Sequence, residues 1–348
     1  MHVGMDLGRN SMVVALLTDG GELVAESSVR PDAAGLGRLV DLTAQYCTSG
    51  EVVDGVVESM TGARFVYDFL TGFGWRVAIA DALAVKGIGR VAAKTDKIDA
   101  RVLADLSRRD LVPAIWIPDQ EVRSNRERAR FRIFLVHQRT GLKNRIHSGL
   151  IEFGRPCPVS DLFGKTGRQL LNQLDLNQPW AEHIGVCLQL IDHYDRLIAE
   201  IERDLRQQVL EHPYLELLVT VPGIGHILAY TIASEIGDIN RFPTPKKLVG
   251  YTGLAPRVHQ SGGRDLRGPL TRNGPKHLRW ALIEAAVHAA HHPVYAHHYQ
   301  RTKQRLGRQQ GPKVARVEVA RRITTAIWWM LTKQQPFAPQ GPTRTLAA

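Results

Sequence analysis

The chain has 348 residues, enough for two or three domains, and its 44% apolar content excludes wholesale disorder. Lysine and arginine number 45 against 34 acids, and the resulting formal charge of +11 fits a polyanionic partner such as nucleic acid. Three cysteines without pairing or metal-ligand spacing (Cys47, Cys157, Cys187), an early apolar run broken by Asp6, and the lack of any run of about 18 apolar residues argue against a disulfide framework, a signal peptide and a membrane span, so the expected location is the cytoplasm, in association with the nucleoid.

In chain order, residues 2–7 predict a short strand carrying Asp6, and 11–17 a second. Asp19-Gly20-Gly21 is a hairpin signal, and 22–29 returns as a third strand. Leu36, Leu39, Val40 and Leu42 fall on one face of a helix. Residues 52–59 are apolar and β-branched, a buried strand with Glu58 near its end; 65–70 predict a helix, 76–80 a fifth strand, and a further helix opens at Thr95 or Asp96. Three meander strands followed by helix, strand, helix, strand and helix is the order of a ribonuclease-H-like α/β domain. Beyond the prolines at 113 and 118, a long basic helix runs from Arg123 to Phe153 and a second long helix from Ile184 to Leu210. On the second, Leu188, Ile191, Tyr194, Leu197, Ile198, Ile201 and Leu205 form a stripe that suits an antiparallel hairpin, a coiled-coil dimer seam or an ordinary core face. The predicted organisation is therefore an N-terminal α/β domain (1–115), a basic helical or coiled-coil segment (116–212), a mainly α-helical C-terminal domain (213–335) and a Pro-rich tail (336–348).

Four acids stand out. Asp6 lies mid-strand between Met5 and Leu7, where a charge is costly unless something pairs with it. Glu58 ends a second buried strand, and Asp96 and Asp99 share one face at a helix start. Converging carboxylates would suit divalent magnesium, and two such ions can clamp a phosphodiester from both sides. Singly, each acid has a plainer role: Asp96 as a helix cap, Glu58 as a dipole partner, Asp6 as a turn residue.

The segments MDLGRN (5–10), VVESMTG (56–62) and KTDKIDARVLA (94–104) resemble the motifs of the RuvC-like DEDD domain of a large group of bacterial insertion-sequence transposases, the bridge-RNA-guided serine recombinases, which are related to the Piv DNA invertases. VPGIG (221–225), KKLVGYTGLAPRVHQSGG (246–263) and LTRNGPKHLRWAL (270–282) resemble the C-terminal transposase domain of that family in order and spacing. The resemblance implies that Asp6, Glu58, Asp96 and Asp99 bind Mg2+ and that Ser261 is the nucleophile. It further implies double-stranded donor and target DNA, a structured guide RNA, and a homodimer or homotetramer.

The residues around Ser261 agree as far as they go. Gly262 and Gly263 let backbone approach a phosphate, and Arg257, Arg264, Arg267 and Arg272, with His259, supply charge for a phosphorane. Taken without the resemblance, Ser261 is an ordinary loop serine. Gly223 and Gly225 suit either a phosphate-holding helix-hairpin-helix or a plain helix–helix turn. From Arg123 to Arg145 there are eight basic residues and one acid, Glu127, so Arg123, Arg126, Arg130, Arg139, Lys143 and Arg145 are expected to track a nucleic-acid backbone unless they are simply solvated. Trp328 and Trp329 are expected in the core rather than as base-stacking platforms. A nuclease that uses the acids with water, and an inactive nucleic-acid-binding relative, stay open as alternatives.

Overall fold

The structure is a computed structural model that describes residues 1–48, 50–88, 95–155, 157, 159–174, 176–209, 212–261 and 264–339; for 208–209, 259–261 and 264–267 the description extends to the backbone alone. Two compact units divide the chain, Met1–Ile117 and Pro118–Ala348.

The first unit runs β1 (His2–Leu7), β2 (Met12–Leu17), β3 (Leu23–Val29), α1 (Ala33–Ala44), β4 (Asp54–Glu58), α2 (Ala63–Gly72), β5 (Arg76–Ala80), α3 (Ala82–Ile88) and α4 (Asp96–Arg108). Its five strands form one sheet in the order β3-β2-β1-β4-β5. The β1–β2 and β2–β3 pairs are antiparallel, as a meander requires, and β1–β4 and β4–β5 are parallel, joined through helices.

Strand alternation divides the sheet into two faces. Val3, Met5 and Leu7 of β1 point into one core with Val14, Leu16, Val57 and Ile79 and with Leu36, Leu39, Val66 and Leu70 of α1 and α2. The opposite face is covered by α4, whose Ala100 and Ala104 pack on Ala15 and Leu17 while Leu103 packs on Val56 and Ala80. Gly4 makes that approach possible, because a methyl group there would collide with the carbonyl oxygen of Ala100 and the amide of Ala104. Arg101 fastens the helix with a two-pronged ion pair to Glu26 of β3, which holds the Glu26 carboxyl below its usual range.

The second unit contains α5 (Gln120–Glu152), α6 (Lys165–Gln173), α7 (Trp180–Val209), α8 (Leu215–Leu218), α9 (His226–Ile236), a 3-10 turn (Ile239–Arg241), α10 (Pro245–Tyr251), a hairpin of β6 (Pro256–Ser261) and β7 (Arg264–Leu270), α11 (Lys276–Ala289) and α12 (Pro293–Lys333). Asp119 caps α5 by accepting from the Val122 amide. Ion pairs Arg132–Glu202 and Arg139–Asp195 run in opposite senses along α5 and α7, so the apolar stripe of α7 belongs to an antiparallel hairpin within the chain. The sequence puts a boundary near residue 212, yet α5 is bonded to α9 on the far side of it by Arg126 and Arg130. The core of this unit is built from α9, α11 and α12, with Trp328 donating its indole N–H to the Phe242 carbonyl at 2.8 Å. Trp328 is a core residue as expected, whereas Trp329 is 47% exposed. No helix among the described residues is long and apolar enough to cross a membrane.

Candidate active site

Asp6 follows Gly4 on the α4-facing side of β1, and Glu58 follows Val56 on the same side of the neighbouring parallel strand. Because Met5 pairs with Val57, these two carboxylates stand side by side where β1 and β4 end. The helix α4 runs antiparallel to β1, since Ala100 and Ala104 meet Gly4 while Ser107 bonds His2 at 3.0 Å. Its N-terminal acids are thereby carried to the Asp6 end of the strand. Thr95, not Asp96, caps α4 by accepting from the Ile98 amide, and Asp96 and Asp99 belong to the first turn of the helix.

The outcome is one cleft of about 530 Å³ lined by all four acids, Asp6, Glu58, Asp96 and Asp99. Arg9, Asn10 and Ser11 of the β1–β2 turn and Thr95 complete its wall. The turn is closed by the Gly8 amide donating to the Ser11 carbonyl at 2.9 Å. These four residues were not singled out from sequence; the signal for three of them was their place in the turn directly after the Asp6 strand. Carboxylate and amide oxygens are the donors that magnesium prefers, so the chemistry of the lining fits that ion. In the present side-chain arrangement the acids line the cleft without closing into a ligand cluster, among the described residues. Asp6, Glu58 and Asp99 are partly buried and Asp96 is exposed, so the site opens to solvent at its helix side.

Ser261 is the last residue of β6, paired in register with Arg264 of β7. The sequence reading had it in a Gly-rich loop; the backbone of Ser261 instead ends a strand that pairs antiparallel with β7. The side chains of His259, Ser261, Arg264 and Arg267, and all of Gly262 and Gly263, lie outside the described residues. The base of the hairpin is firmly built. Thr271 donates to the Ala255 carbonyl at 2.8 Å, Arg321 to the Leu254 carbonyl at 2.7 Å, and Arg279 to the carbonyls of Thr252 and Arg272, both at 3.3 Å. Gly253 and Gly274 have φ of +69° and +100° and sit against backbone, so both positions exclude a side chain. Those contacts give a physical reason for the GYTGLAP and TRNGPKHLR segments. Arg257 and Arg272 are exposed beside this base.

Several residues offered to nucleic acid are engaged within the chain. Arg123 donates to the Pro118 and Asp119 carbonyls, Arg126 to the carbonyls of Ser234 and Glu235, and Arg139 to Asp195. Arg130 grips the fully buried Glu235 with two bonds of 2.7 and 2.8 Å, and Lys143 lies 4.8 Å above the Phe163 ring. Within this group Arg145 remains exposed. Of the eight basic residues from Arg123 to Arg145, Arg126, Arg130, Arg132 and Arg139 meet acids or carbonyls more than fifty residues away, so part of the charge of this helix is balanced within the chain. Gly223 likewise has a packing reason: its φ is +87°, and a methyl group there would strike the Ala285 carbonyl of α11. Gly225 is the N-cap residue of α9, with no side chain to cap it.

A stability prediction follows from the Glu235 pair. Arg130→Ala should destabilise the fold by about 2–4 kcal/mol, because among the described residues it leaves the buried Glu235 carboxylate with only the Arg126 guanidinium, 3.9 Å away. A double change, Arg130→Met with Glu235→Leu, should recover most of the loss, since apolar residues need no partner there. Denaturant midpoints of the three proteins test this, and an unshifted midpoint for Arg130→Ala would show that Glu235 is satisfied without it.

Comparison with known proteins bears on both regions. A model of the DEDD transposase domain of IS110 matches residues 3–154, and a model described as the transposase IS116/IS110/IS902 family matches residues 215–300. The chain is 25% identical to the transposase for insertion sequence element IS1328 of Yersinia enterocolitica, over 82% of this chain and 82% of that protein. It is 24% identical to the transposase for insertion sequence element IS1111A of Coxiella burnetii, over 81% and 78% respectively. A pilin gene-inverting protein of Moraxella bovis is 30% identical over 42% of this chain and 47% of its own length. Matched in order by two models of one family, and by relatives across most of their length, the chain belongs to the IS110/IS116/IS902 family of transposases.

Proposed function

We propose that this transposase cuts and rejoins DNA strands through a phosphoserine link at Ser261, assisted by magnesium held on Asp6, Glu58, Asp96 and Asp99. The observation that carries the reading is the single cleft lined by four carboxylates from β1, β4 and α4. We read the surrounding sheet as ribonuclease-H-like, on its strand order and the helix covering the acid-bearing face. Magnesium bound there would neutralise charge on a phosphodiester and favour deprotonation of the attacking group.

The chain's own part in the reaction is simple to balance. The Ser261 hydroxyl oxygen forms a bond to phosphorus as the bond from phosphorus to the 3′ oxygen breaks. The serine proton passes to a base, and the departing 3′ oxygen takes up a proton. One phosphoester is exchanged for another, so reversal by a different 3′-hydroxyl rejoins strands without an external energy source. Arg257 and Arg272, exposed at the hairpin base, are suited to offset charge on the phosphate. We take the partners to be donor and target duplexes and a structured guide RNA, and the assembly to be a homodimer or homotetramer; the +11 charge is consistent with so much polyanion.

Incubation with end-labelled DNA carrying the element ends, with its RNA and magnesium, followed by denaturing electrophoresis, separates the readings. A protein–DNA band supports the serine route. Free ends without such a band mean that the acids use water, and intact DNA points to a binding relative.

A further inference from the structure

A second cavity lies in the C-terminal unit; Arg321 in its lining also donates to the Leu254 carbonyl at the base of the hairpin that bears Ser261. The helix α12 breaks at Gly307, where φ is +73°, so Tyr295 from before the break and Glu318, Arg322 and Trp329 from after it line the same space of about 690 Å³. The segment after the helix closes one side: the Phe337 amide donates to the Thr220 hydroxyl at 2.9 Å, and the Phe337 ring lies 6.2 Å from that of Tyr295.

Three properties of the lining point to one ligand class. First, Arg321 and Arg322 pair with the one carboxylate of the lining, Glu318, while the Lys333 ammonium lies 4.8 Å over the Trp329 ring, so the cavity holds a net positive charge and a base stacking there displaces the flexible Lys333 tip toward its phosphate. Second, Trp329 is 47% exposed, a poor position for a large apolar side chain, and its indole is braced edge-on by Trp328 at 4.8 Å. Third, the Tyr295 hydroxyl is buried in a residue only 4% exposed and finds no hydrogen-bond partner among the described residues. An unpartnered buried hydroxyl costs free energy, so its retention calls for an explanation. Burial pushes that group up to about 12, so it stays protonated and able to donate at neutral pH.

We propose that this cavity receives one unpaired nucleotide of a single strand, its base against Trp329, its phosphate beside Arg322 and Lys333, and a base oxygen or nitrogen accepting from Tyr295. A lone phosphate has no use for an exposed indole, and an apolar peptide has none for the cations; a nucleotide uses both. Base–aromatic stacking is tolerant of sequence, so the pocket serves as a general clamp rather than a reader. The volume lies in the range of small-molecule sites. Both a displaced DNA strand and an unpaired RNA segment present this chemistry. The inference stands apart from the cleavage chemistry, because it needs neither Ser261 nor the four acids.

The test uses the full chain and fluorescein-labelled pentanucleotides, d(T)5 and r(U)5, read by anisotropy at low salt. Trp329→Ala should weaken binding of at least one of them by about 5- to 100-fold, the effect of losing one stacked base. Trp329→Phe should keep most of the affinity. Tyr295→Phe should weaken binding yet raise the melting temperature of the free protein, a pairing that a purely structural tyrosine would not give. Preference for d(T)5 assigns the pocket to a DNA strand and preference for r(U)5 to RNA. Equal affinities of wild type and Trp329→Ala for both probes, with melting temperature unchanged, would overturn the proposal. So would 4-thiouridine or 4-thiothymidine crosslinks that map only outside residues 294–337. Loss of covalent DNA cleavage at Ser261 leaves every one of these readouts unaffected, so the two proposals fail separately.

Discussion

Asp6→Ala, Glu58→Ala and Asp99→Ala should each lower DNA strand cleavage by about a thousandfold or more, while duplex affinity holds or rises. The size follows from what a bound divalent ion supplies to phosphoryl chemistry: several kcal/mol of charge stabilisation, with each 1.36 kcal/mol worth a factor of ten. Binding should survive because removing a carboxylate removes repulsion from the phosphates. The folding risk differs between the three. Asp6 sits on a strand whose neighbours Met5 and Leu7 are fully or almost fully buried, so Asp6→Asn belongs beside the alanine variant to keep the shape. Asp99 lies on the first turn of α4, whose docking rests on Ala100, Leu103 and Ala104, so Asp99→Ala should keep the wild-type circular dichroism. Asp96 is the most exposed of the four and is the position where a conservative Asp96→Asn should leave the largest residual activity. Cleavage on labelled DNA with a magnesium titration measures all of this. Wild-type recombination by any two of the alanine variants would remove these acids from the mechanism.

The first unit was legible because its signals are local. Alternation in residues 2–7, the apolar run within 11–17 and the Asp-Gly-Gly turn marked the meander, and the helix start at Thr95 was bracketed to one residue. Convergence of the acids on one cleft could be guessed from element order, but its cause could not. That cause is Gly4, which admits α4 to the face of β1, and it is a contact across about a hundred residues of chain. The short α3 escaped notice because it has no buried face and so no periodicity to detect; Leu83 is 77% exposed. In the second unit the long-range partners were not legible. Arg130 reads as one member of a basic run, and its partner, Glu235, lies 105 residues away. Strands β6 and β7 were missed because polar and glycine residues there suppress strand preference, and the pairing depends on a base built by Gly253, Gly274, Arg279 and Arg321. The stripe on α7 was visible from sequence, while the choice between a hairpin and a dimer seam rested on Arg132 and Arg139 meeting acids of α7.

Ser261→Ala should eliminate the covalent protein–DNA product and recombination altogether, and leave DNA binding and RNA assembly at wild-type level. The argument joins two independent lines. The GLAPRVHQSGG segment places Ser261 where the family resemblance puts its nucleophile, within the residues 215–300 that the family model matches. The backbone then sets this serine at the end of a strand paired with β7, in a hairpin whose base is clamped by Arg279, Arg321 and two left-handed glycines. A reacting group carried on a short, anchored hairpin can be presented to a helical backbone without a loop having to be ordered on each encounter, and that ordering is part of what positioned catalysis avoids. Because the clamp lies at the base, Ser261→Ala should not disturb the fold, and its melting temperature should match wild type. Ser261→Cys should keep a trace of product, since a thiolate can attack phosphorus but the site is arranged for an alkoxide. By contrast Gly253→Ala, which forces a side chain into a left-handed position against the Asn273 carbonyl, should lower cleavage through the hairpin's placement while Ser261 itself is intact. Denaturing electrophoresis followed by mass spectrometry of the linked peptide reads the outcome: a 5′-phosphoserine at Ser261 with a free 3′-hydroxyl on the other fragment is the expected result. Cleavage that persists in Ser261→Ala, or a link mapped to another residue, would hand the chemistry to the four acids and water.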